Sequence, residues 1–477
     1  MSEPDPRRWK ALAVSLAAGF MSLLDVSIVN VALPSVQNGL RASAGSVQWI
    51  VSGYALTFGL SLVAGGRLGD VLGRRVMFLI ALTAFVVTSA LAGAAPNETL
   101  LIGARLLQGL AAGLLTPQNS GLIQDLFRGA ERGRAFGLLG ATIGISTAAG
   151  PVLGGLILAA FGDETGWRWV FYVNVPVGVL AFVLALRWLP RFDRHGVGLR
   201  GQIDHVGAIL LGVAVLGLLL PIVETESGPV GPLWLMAALT PVFGGLFVWW
   251  ERRLSARGGK PLLDLRLFTE VSGYSSGLLL GAVYFCGFAG IFLVMSLFLQ
   301  KGLHYTPLQS GLTVTPFAVG SAIMAAVAGR LVSRLGRKLT VAGLGLIMIG
   351  LAAVAVVVLL VPQDVIGGAI AIPLLLAGIG GGAVISPNTT LTLECVPNSI
   401  AGVAGGALQT GQRIGTAIGT AVLATVFYTA AAGGFPAALS TTLCCAIGFM
   451  LVAIGIAVYE LRRVGAGRAA AAPSDPM

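Results

Sequence analysis

Runs of about 20 apolar residues recur along nearly the whole 477-residue chain. As a helix, each is long enough to cross the hydrocarbon core of a bilayer. Hydrocarbon offers no water to a backbone N–H or C=O, so each run must satisfy its hydrogen bonds internally. The chain is therefore expected to be all-helical and to cross a membrane many times. Charged residues make up 10% of it and apolar residues 56%, against about 25% charged in a soluble domain. That excludes a water-soluble enzyme of this size. The 68 glycines fit the same class, because small residues let membrane helices approach closely.

Fourteen spans are expected, near 11–33, 46–66, 76–95, 98–121, 135–160, 167–189, 205–222, 232–250, 273–299, 307–328, 340–361, 366–388, 401–427 and 437–459. Arg7, Arg8 and Lys10 precede the first run, as in a signal peptide. That run continues past Asp25 to Pro34 with no small-residue cleavage site, so it is expected to be a retained first helix.

The net charge of +10 raises the question of nucleic acid, and its distribution answers it. With the N-terminus in the cytoplasm, only Arg41, Arg168 and Lys301 fall in outer segments, and Arg105 and Arg413 lie inside spans. The other 25 of the 30 basic residues sit on the inner side, among them Arg191, Arg194 and Arg200. Such a bias is the topology signal of a multi-pass membrane protein with both termini in the cytoplasm. No nucleic-acid partner is expected.

A ten-residue motif occurs twice. Gly66-Arg-Leu-Gly-Asp-Val-Leu-Gly-Arg-Arg75 and Gly329-Arg-Leu-Val-Ser-Arg-Leu-Gly-Arg-Lys338 share six of ten positions. Each lies between the second and third spans of a six-span block. The expected organisation is an N-terminal six-helix bundle (1–200), two additional helices (201–256), and a C-terminal six-helix bundle with its tail (257–477). Repeated halves are a known plan for secondary transporters, with substrate bound between them near the midplane.

Asp25 is the only carboxylate well inside a span. A charge near the bilayer centre costs roughly 2.5–3.5 kcal/mol on insertion scales, so such a residue is a functional candidate by default. At 1.5 Å per residue it lies ~13 Å below the outer end of its helix, and Arg105 lies ~10 Å below the outer end of the fourth. The two could share a depth. An arginine partner favours the ionised acid, whereas dry burial favours the neutral one, and proton coupling needs both in turn. A static pair holding two helices together is the competing reading. Arg413 lies ~18 Å into the thirteenth span, placed either to bind an anionic group or to pair with a helix C-terminus. Asn30, Tyr54, Gln108, Gln118, Asn119, Gln409 and Gln412 are polar residues available to line a pathway, or to form packing hydrogen bonds. Glu394 is read as a solvated loop charge.

Taken together, these motifs resemble the major facilitator superfamily, and more narrowly its fourteen-helix drug:proton antiporter branch. Gly66–Arg75 matches the superfamily's loop signature. Leu24–Pro34, Arg105–Gly113 and Trp167–Gly178 are similar to signatures of the branch, with Ser27 where Thr is usual. Gly144-Ile-Ser-Thr-Ala-Ala-Gly-Pro-Val-Leu-Gly-Gly155 resembles the fifth-helix signature of exporters. The resemblance implies a major-facilitator fold, with Asp25 and Arg105 as the proton-coupling pair. It implies a conformational latch at Gly66, Asp70, Gly73 and Arg74, Asp70 meeting a helix N-terminus near Ala401. The second copy has Ser333 in place of the acid, so its latch should be weaker. Gly140, Gly144, Gly150, Gly154 and Gly155 flank Pro151, and such a helix could serve as a tight, bendable seam between halves. Asn30, Tyr54, Gln108, Asn119, Gln409 and Arg413 are the candidate substrate pathway.

The activity implied is proton-driven export of small amphipathic or lipophilic molecules from a bacterial cell, across the inner membrane. The partners are then protons, such a molecule and the lipid bilayer, and the chain is expected to act as a monomer. With Asp25 alone facing Arg105 and Arg413, a dicationic substrate would find little compensation. Export of a lipid, a siderophore or a self-made metabolite is the alternative, and a non-transporting receptor or scaffold is a more distant one. No cofactor is expected beyond the proton gradient. Cys286, Cys395, Cys444 and Cys445 show no paired spacing, and His195, His205 and His304 fall in loops, so no metal site emerges. No P-loop is present. Gly273-Tyr-Ser-Ser-Gly277 fits a hydrolase elbow, but it opens a membrane helix instead of following a strand.

Overall fold

The computed structural model describes residues 6–162, 164–190, 204–224 and 231–470, and every regular element among them is helical. The N-terminal elements are α1 (Arg8–Leu40), α2 (Ala44–Leu72), α3 (Arg74–Ala94), α4 (Glu98–Leu126), α5 (Gly129–Phe161), α6 (Gly166–Tyr172) and α7 (Asn174–Trp188). Next come α8 (His205–Glu224), a 3-10 helix (Gly231–Ala238) and α9 (Leu239–Ala256). The C-terminal elements are α10 (Arg266–Thr269), α11 (Tyr274–Leu297), α12 (Pro307–Leu335), α13 (Arg337–Leu360), α14 (Ile366–Ala369), α15 (Ala371–Leu393), α16 (Ala401–Ala430) and α17 (Phe435–Ala470). The expected boundary at 200–201, with Arg191, Arg194, His195 and Arg200, lies outside the described residues.

Eleven helices are long and apolar enough to cross a membrane, or twelve if the two arms of bent α5 make one span. The expected count of fourteen is thus reached only if α8 and the segment 231–256 also cross. The apolar run of α8 is shorter, His205–Pro221, and the segment after it is split into a 3-10 helix and an α-helix. Two other spans expected to be single helices are also broken, at Val173 and at Ile370. All three breaks share a cause. Pro176, Pro241 and Pro373 each stand third in the helix that follows the break. Proline fits a first turn, but its ring collides with the carbonyl four residues earlier, so the helix cannot run back through it.

Val76, Ile80, Val87 and Leu91 form an exposed apolar face on α3, as Ile349, Val356 and Leu360 do on α13. Uncovered faces of this size call for hydrocarbon rather than water. The chain is a multi-pass membrane protein. One core fills the N-terminal helices around Phe58, Phe78, Leu82 and Leu115, and another fills the C-terminal helices around Tyr284, Ile347, Leu374 and Leu443. A third joins the two sets where Ile123 and Phe136 meet Val403, Leu408 and Tyr274.

The repeat explains how the halves meet. Gly66 on α2 lies against the Gly402 carbonyl of α16. Its counterpart Gly329 on α12 lies against Gly133 and Gly137 of α5, where an added Cβ would stand 2.5 Å from the Gly133 oxygen and 2.7 Å from Gly137 Cα. Gly73 and Gly336, also equivalent in the repeat, turn the chain at φ 93° and 52°, a region glycine enters without penalty. Both crossings lie at the Asp70 end of the bundle, and the halves are closed there.

The glycines of α5 divide between two partners. Gly133, Gly137, Gly140 and Gly144 face α12 across the halves, while Gly150 and Gly154 face Ser27 and Ile28 of α1. Six residues after Gly144 the helix has turned by about 240°, which carries the second pair to the other side. Gly155 meets only Leu308, at 4.0 Å. The two arms, Gly129–Thr147 and Val152–Phe161, are inclined by 41°. The Pro151 side chain lies outside the described residues.

Backbone cannot retreat as a side chain can, so Gly329→Val should lower stability by about 1–3 kcal/mol, the range for overpacking. Gly345→Ala, where nothing lies within 4 Å, is the control and should be neutral or slightly stabilising. Thermal unfolding of the purified proteins in detergent compares them.

Between the halves, α8 packs on α9 and rests on Leu56, Leu60 and Ile414 through Val215 and Leu219. Glu251, one residue beyond the 232–250 run, is fully buried. Its Oε1 accepts from Leu262 N at 3.2 Å, and Asp204 accepts from Trp250 Nε1 and Gly207 N. Burial, and then the neighbouring Asp204, push the Glu251 carboxyl up to about 8. The folded chain then keeps a proton that the unfolded chain releases above an ordinary value of about 4.5. Stability should fall as pH rises through that interval, and the deficit is complete above about 8. Glu251→Gln removes the slope, so the variant should gain on the parent between pH 5 and pH 9 in thermal unfolding. A difference that stays constant with pH would rule this account out.

Candidate functional site

Asp25 stands in the middle of α1, fully buried, and its hydrogen-bond partners come from α4 and α7. Arg105 of α4 donates through Nη1 to Oδ2 at 2.5 Å. Gln108, one turn further along α4, donates to Oδ1 at 3.1 Å, and Asn174 of α7 donates to the same oxygen at 2.9 Å. Both amides also donate to Ser89 Oγ of α3, which itself donates to the Phe171 carbonyl of α6. Arg105 further donates to the Ile50 carbonyl of α2 at 3.0 Å and to Gln108 Oε1 at 2.8 Å. Its guanidinium lies 4.1 Å from the Tyr54 ring centre and 5.7 Å from that of Phe171. The break at Val173 matters here, because it starts α7 at Asn174 and brings that amide to the carboxylate.

An ionised Asp25 is therefore satisfied on both oxygens. A proton added to it, on the lone pair that Oδ2 keeps beside its single bond from Arg105, removes the charge that balances Arg105. Buried pairs of this kind are expensive to break from one side. The centre is built wholly from the N-terminal half. A change in its charge can reach the other half only through neighbouring side chains or helix movement.

One chain of side chains makes that reach. Tyr54, whose hydroxyl donates to the Ser22 carbonyl, stacks on Phe58 with ring centres 6.0 Å apart and planes 24° from parallel. Arg413, from α16 of the opposite half, sits 4.4 Å over the Phe58 ring. Two guanidinium groups thus bracket two stacked rings.

The second cluster lies at the closed end. Asp70 accepts from Gly402 N at 3.1 Å through Oδ1 and from Val403 N at 3.0 Å through Oδ2, at the start of α16. A helix N-terminus has unsatisfied N–H groups and a partial positive charge, so a carboxylate suits it. Arg74 pairs with Asp70 and also lies 3.4 Å from Asp125 of α4. In the second copy Ser333 is exposed and its hydroxyl donates only to Arg330 O. The equivalent of Arg74, Arg337, turns instead to Asn388 Oδ1 at 2.5 Å and to Glu460 at 2.9 Å.

The candidate pathway residues take varied places. Gln108 belongs to the Asp25 centre, and Tyr54 to the stack beside it. Asn119 is buried and accepts from Ser15 Oγ at 2.6 Å, and Gln118 donates to the Gly65 carbonyl. Gln409 donates across the halves to Ser120 Oγ at 3.3 Å. Asn30 is exposed. Glu394 is also exposed, and its carbonyl accepts from Arg132 across the halves at 3.3 Å. Ser89, Asn174, Asp125, Asn388 and Glu460 went unnoticed in the sequence. Asn174 and Asn388 had a visible signal, each an amide inside a span within two residues of a proline.

Helices of bilayer length, a repeat whose glycines sit at both crossings between halves, and one charged centre sealed in the first half define a two-fold-repeated helical membrane protein. The chain belongs to the Major Facilitator Superfamily, whose family model matches residues 15–420. It is 38% identical over 434 residues to a probable actinorhodin transporter of Streptomyces coelicolor, covering 89% of this chain and 73% of that one. It is 34% identical over 415 residues to the multidrug resistance protein Stp of Mycobacterium tuberculosis, covering 85% and 73%. Among solved structures, the proton:xylose symporter XylE superposes with a TM-score of 0.68 at 13% identity, covering 96% of each chain, a likeness of fold.

Proposed function

We propose that this chain is a proton-coupled antiporter of the fourteen-helix drug-exporting branch, moving small amphipathic compounds out of a bacterial cell by alternating access. In this reading it lies in the inner membrane with both termini and the Asp70 end in the cytoplasm. The observation that carries the proposal is the Asp25–Arg105 pair, sealed in the N-terminal half with Gln108, Asn174 and Ser89. A charged pair at such depth is rarely a filler. The relatives named as a probable actinorhodin transporter and a multidrug resistance protein support export.

In the proposed cycle the outward-facing form takes a proton at Asp25, which releases Arg105 from its counter-ion. The latch between Asp70 and α16 then opens on the inner side, the proton leaves, and substrate enters. Recovery of the pair accompanies the return. Each charge moved along a membrane potential adds roughly 2.3 kcal/mol per 100 mV to the driving force. Asn30, Gln409 and Arg413 are the proposed contacts on the substrate path.

The test is uptake of amphipathic compounds into inverted vesicles of reconstituted protein, with and without an imposed pH gradient. Accumulation should require the gradient and should alkalinise the lumen in step with substrate entry, because each proton leaves as substrate enters. Uptake that ignores the gradient would remove the coupling. No uptake of any compound across a broad panel would favour a receptor or scaffold.

A further inference from the structure

Arg413 and Arg105 hold opposite ends of the same pair of rings, yet their surroundings differ. Arg105 has a carboxylate, a carbonyl and an amide oxygen as acceptors. Arg413 makes no ion pair among the described residues, and the contact recorded for its guanidinium is the Phe58 face at 4.4 Å. An arginine within an apolar span is costly, and one ring face offsets only part of that. The carboxylate beyond the stacked rings is already engaged: Asp25 is held by Arg105, Gln108 and Asn174.

The position of Arg413 is as telling as its isolation. On α16, Gly402 faces Gly66, Gly406 faces Leu62 and Gln409 reaches Ser120. This face of the helix looks across the divide into the N-terminal half, and Arg413 is the next step along it. Arg413 is half-buried on that face. A guanidinium there has planar donors to spare, in the geometry that takes a carboxylate or sulfonate by two parallel bonds.

We infer that Arg413 recognises an anionic group on the transported compound, and that amphipathic organic anions are the favoured substrate class. The inference rests on the exporter reading above. Phe58 is then the resting place of the guanidinium between loads. Exporting a monoanion in exchange for an incoming proton moves two charges in the direction that an inside-negative potential favours, so transport of anions should be the most sensitive to potential.

Three anthraquinones with one ring system and different side groups test this: the 2-carboxylate, the 2-hydroxymethyl compound and the 2-trimethylammoniomethyl compound. Inverted vesicles of the parent, Arg413→Gln and Arg413→Lys proteins are compared under the same pH gradient, and a potassium diffusion potential is added in a second series. The parent should prefer the carboxylate. Arg413→Gln should raise its KM by roughly tenfold or more, the effect of losing one charge-assisted contact, while the neutral compound changes less than about twofold. Arg413→Lys, which keeps the charge without the planar fork, should fall between, and the potential should speed the carboxylate most. An equal effect of Arg413→Gln on all three compounds makes Arg413 a strut and overturns the inference, as does a parent that prefers the cation. Equilibrium binding to the detergent-purified protein separates this from the exporter reading. Arg413-dependent binding of the carboxylate without transport leaves the inference standing and removes the exporter, whereas no binding of the carboxylate removes the inference.

Discussion

Asp25→Asn is expected to abolish gradient-driven accumulation, reducing it to the level of protein-free vesicles, while exchange of substrate without a gradient persists. Asparagine is nearly the shape of a protonated aspartate. It keeps an oxygen for the amides of Gln108 and Asn174 and cannot release a proton. Arg105 loses its counter-ion but retains the Ile50 carbonyl, the Gln108 oxygen and the Tyr54 and Phe171 faces. Removing one member of a buried ion pair typically costs about 3–5 kcal/mol. The ring contacts return up to about 2 kcal/mol when desolvated, so a lowered melting temperature is expected together with an assembled protein. In the proposed cycle, proton uptake would pass through an equivalent arrangement, which the fold would have to tolerate. Size-exclusion profiles check assembly, and Asp25→Glu, which keeps a titratable group, should restore part of the accumulation. Full accumulation by Asp25→Asn would end the case for coupling at this residue. Loss of both accumulation and exchange, with assembly intact, would make Asp25 a substrate contact as well.

The spans, the repeat and the two anomalous charges were legible because each breaks a strong expectation. Apolar runs have no other home than a bilayer, a ten-residue coincidence at equivalent positions needs a structural reason, and a buried charge needs a partner. Depth counting placed Asp25 and Arg105 within reach of one another. What escaped notice was set by packing across the sequence. Ser89 looks like an ordinary small polar residue until α3 is laid against α1. The same limit applies to the broken spans. Pro34, Pro117, Pro316 and Pro387 sit inside continuous helices, whereas Pro176, Pro241 and Pro373 begin new ones. Proline is tolerated where neighbouring helices or side chains satisfy the freed carbonyl, and no local pattern reports those neighbours. The partition of the α5 glycines has a geometric cause that spacing does contain. Residues 144 and 150 cannot share a face, so a single seam through all five glycines was never available.

Asp70→Asn should release the closed end. The carboxylate gives one oxygen to Gly402 N and the other to Val403 N. Asparagine offers one uncharged oxygen, so one bond is lost and the other is weakened. Hydrogen bonds to a charged group are worth about 1.5–3 kcal/mol each, and the helix N-terminus adds up to about 1 kcal/mol for an anion at low ionic strength. Arg74 is left with Asp125 alone, at 3.4 Å. A net loss of about 2–3 kcal/mol corresponds to a roughly 30- to 140-fold shift from the form closed at this end to the form open there, at ~1.4 kcal/mol per tenfold. Spin labels on cysteines introduced at Ala130 and Asn398, both exposed and on opposite halves, read that shift as a longer distance population once Cys286, Cys395, Cys444 and Cys445 are replaced. Transport should slow by about tenfold or more, because one access state has lost its hold. The glycine crossings at Gly66 and Gly329 remain in the variant, so the halves should still close, only less often. An unchanged distance distribution would leave the closed end to backbone packing alone and give Asp70 no part in holding it, with Arg67, Arg74 and Arg75 serving only to keep the loop inside. The Ser333 copy offers the reciprocal trial. Ser333→Asp places an acid at the repeat-equivalent position on α12, near the start of α5, and if a carboxylate there is what holds a crossing shut, the label pair should shift towards its shorter distance.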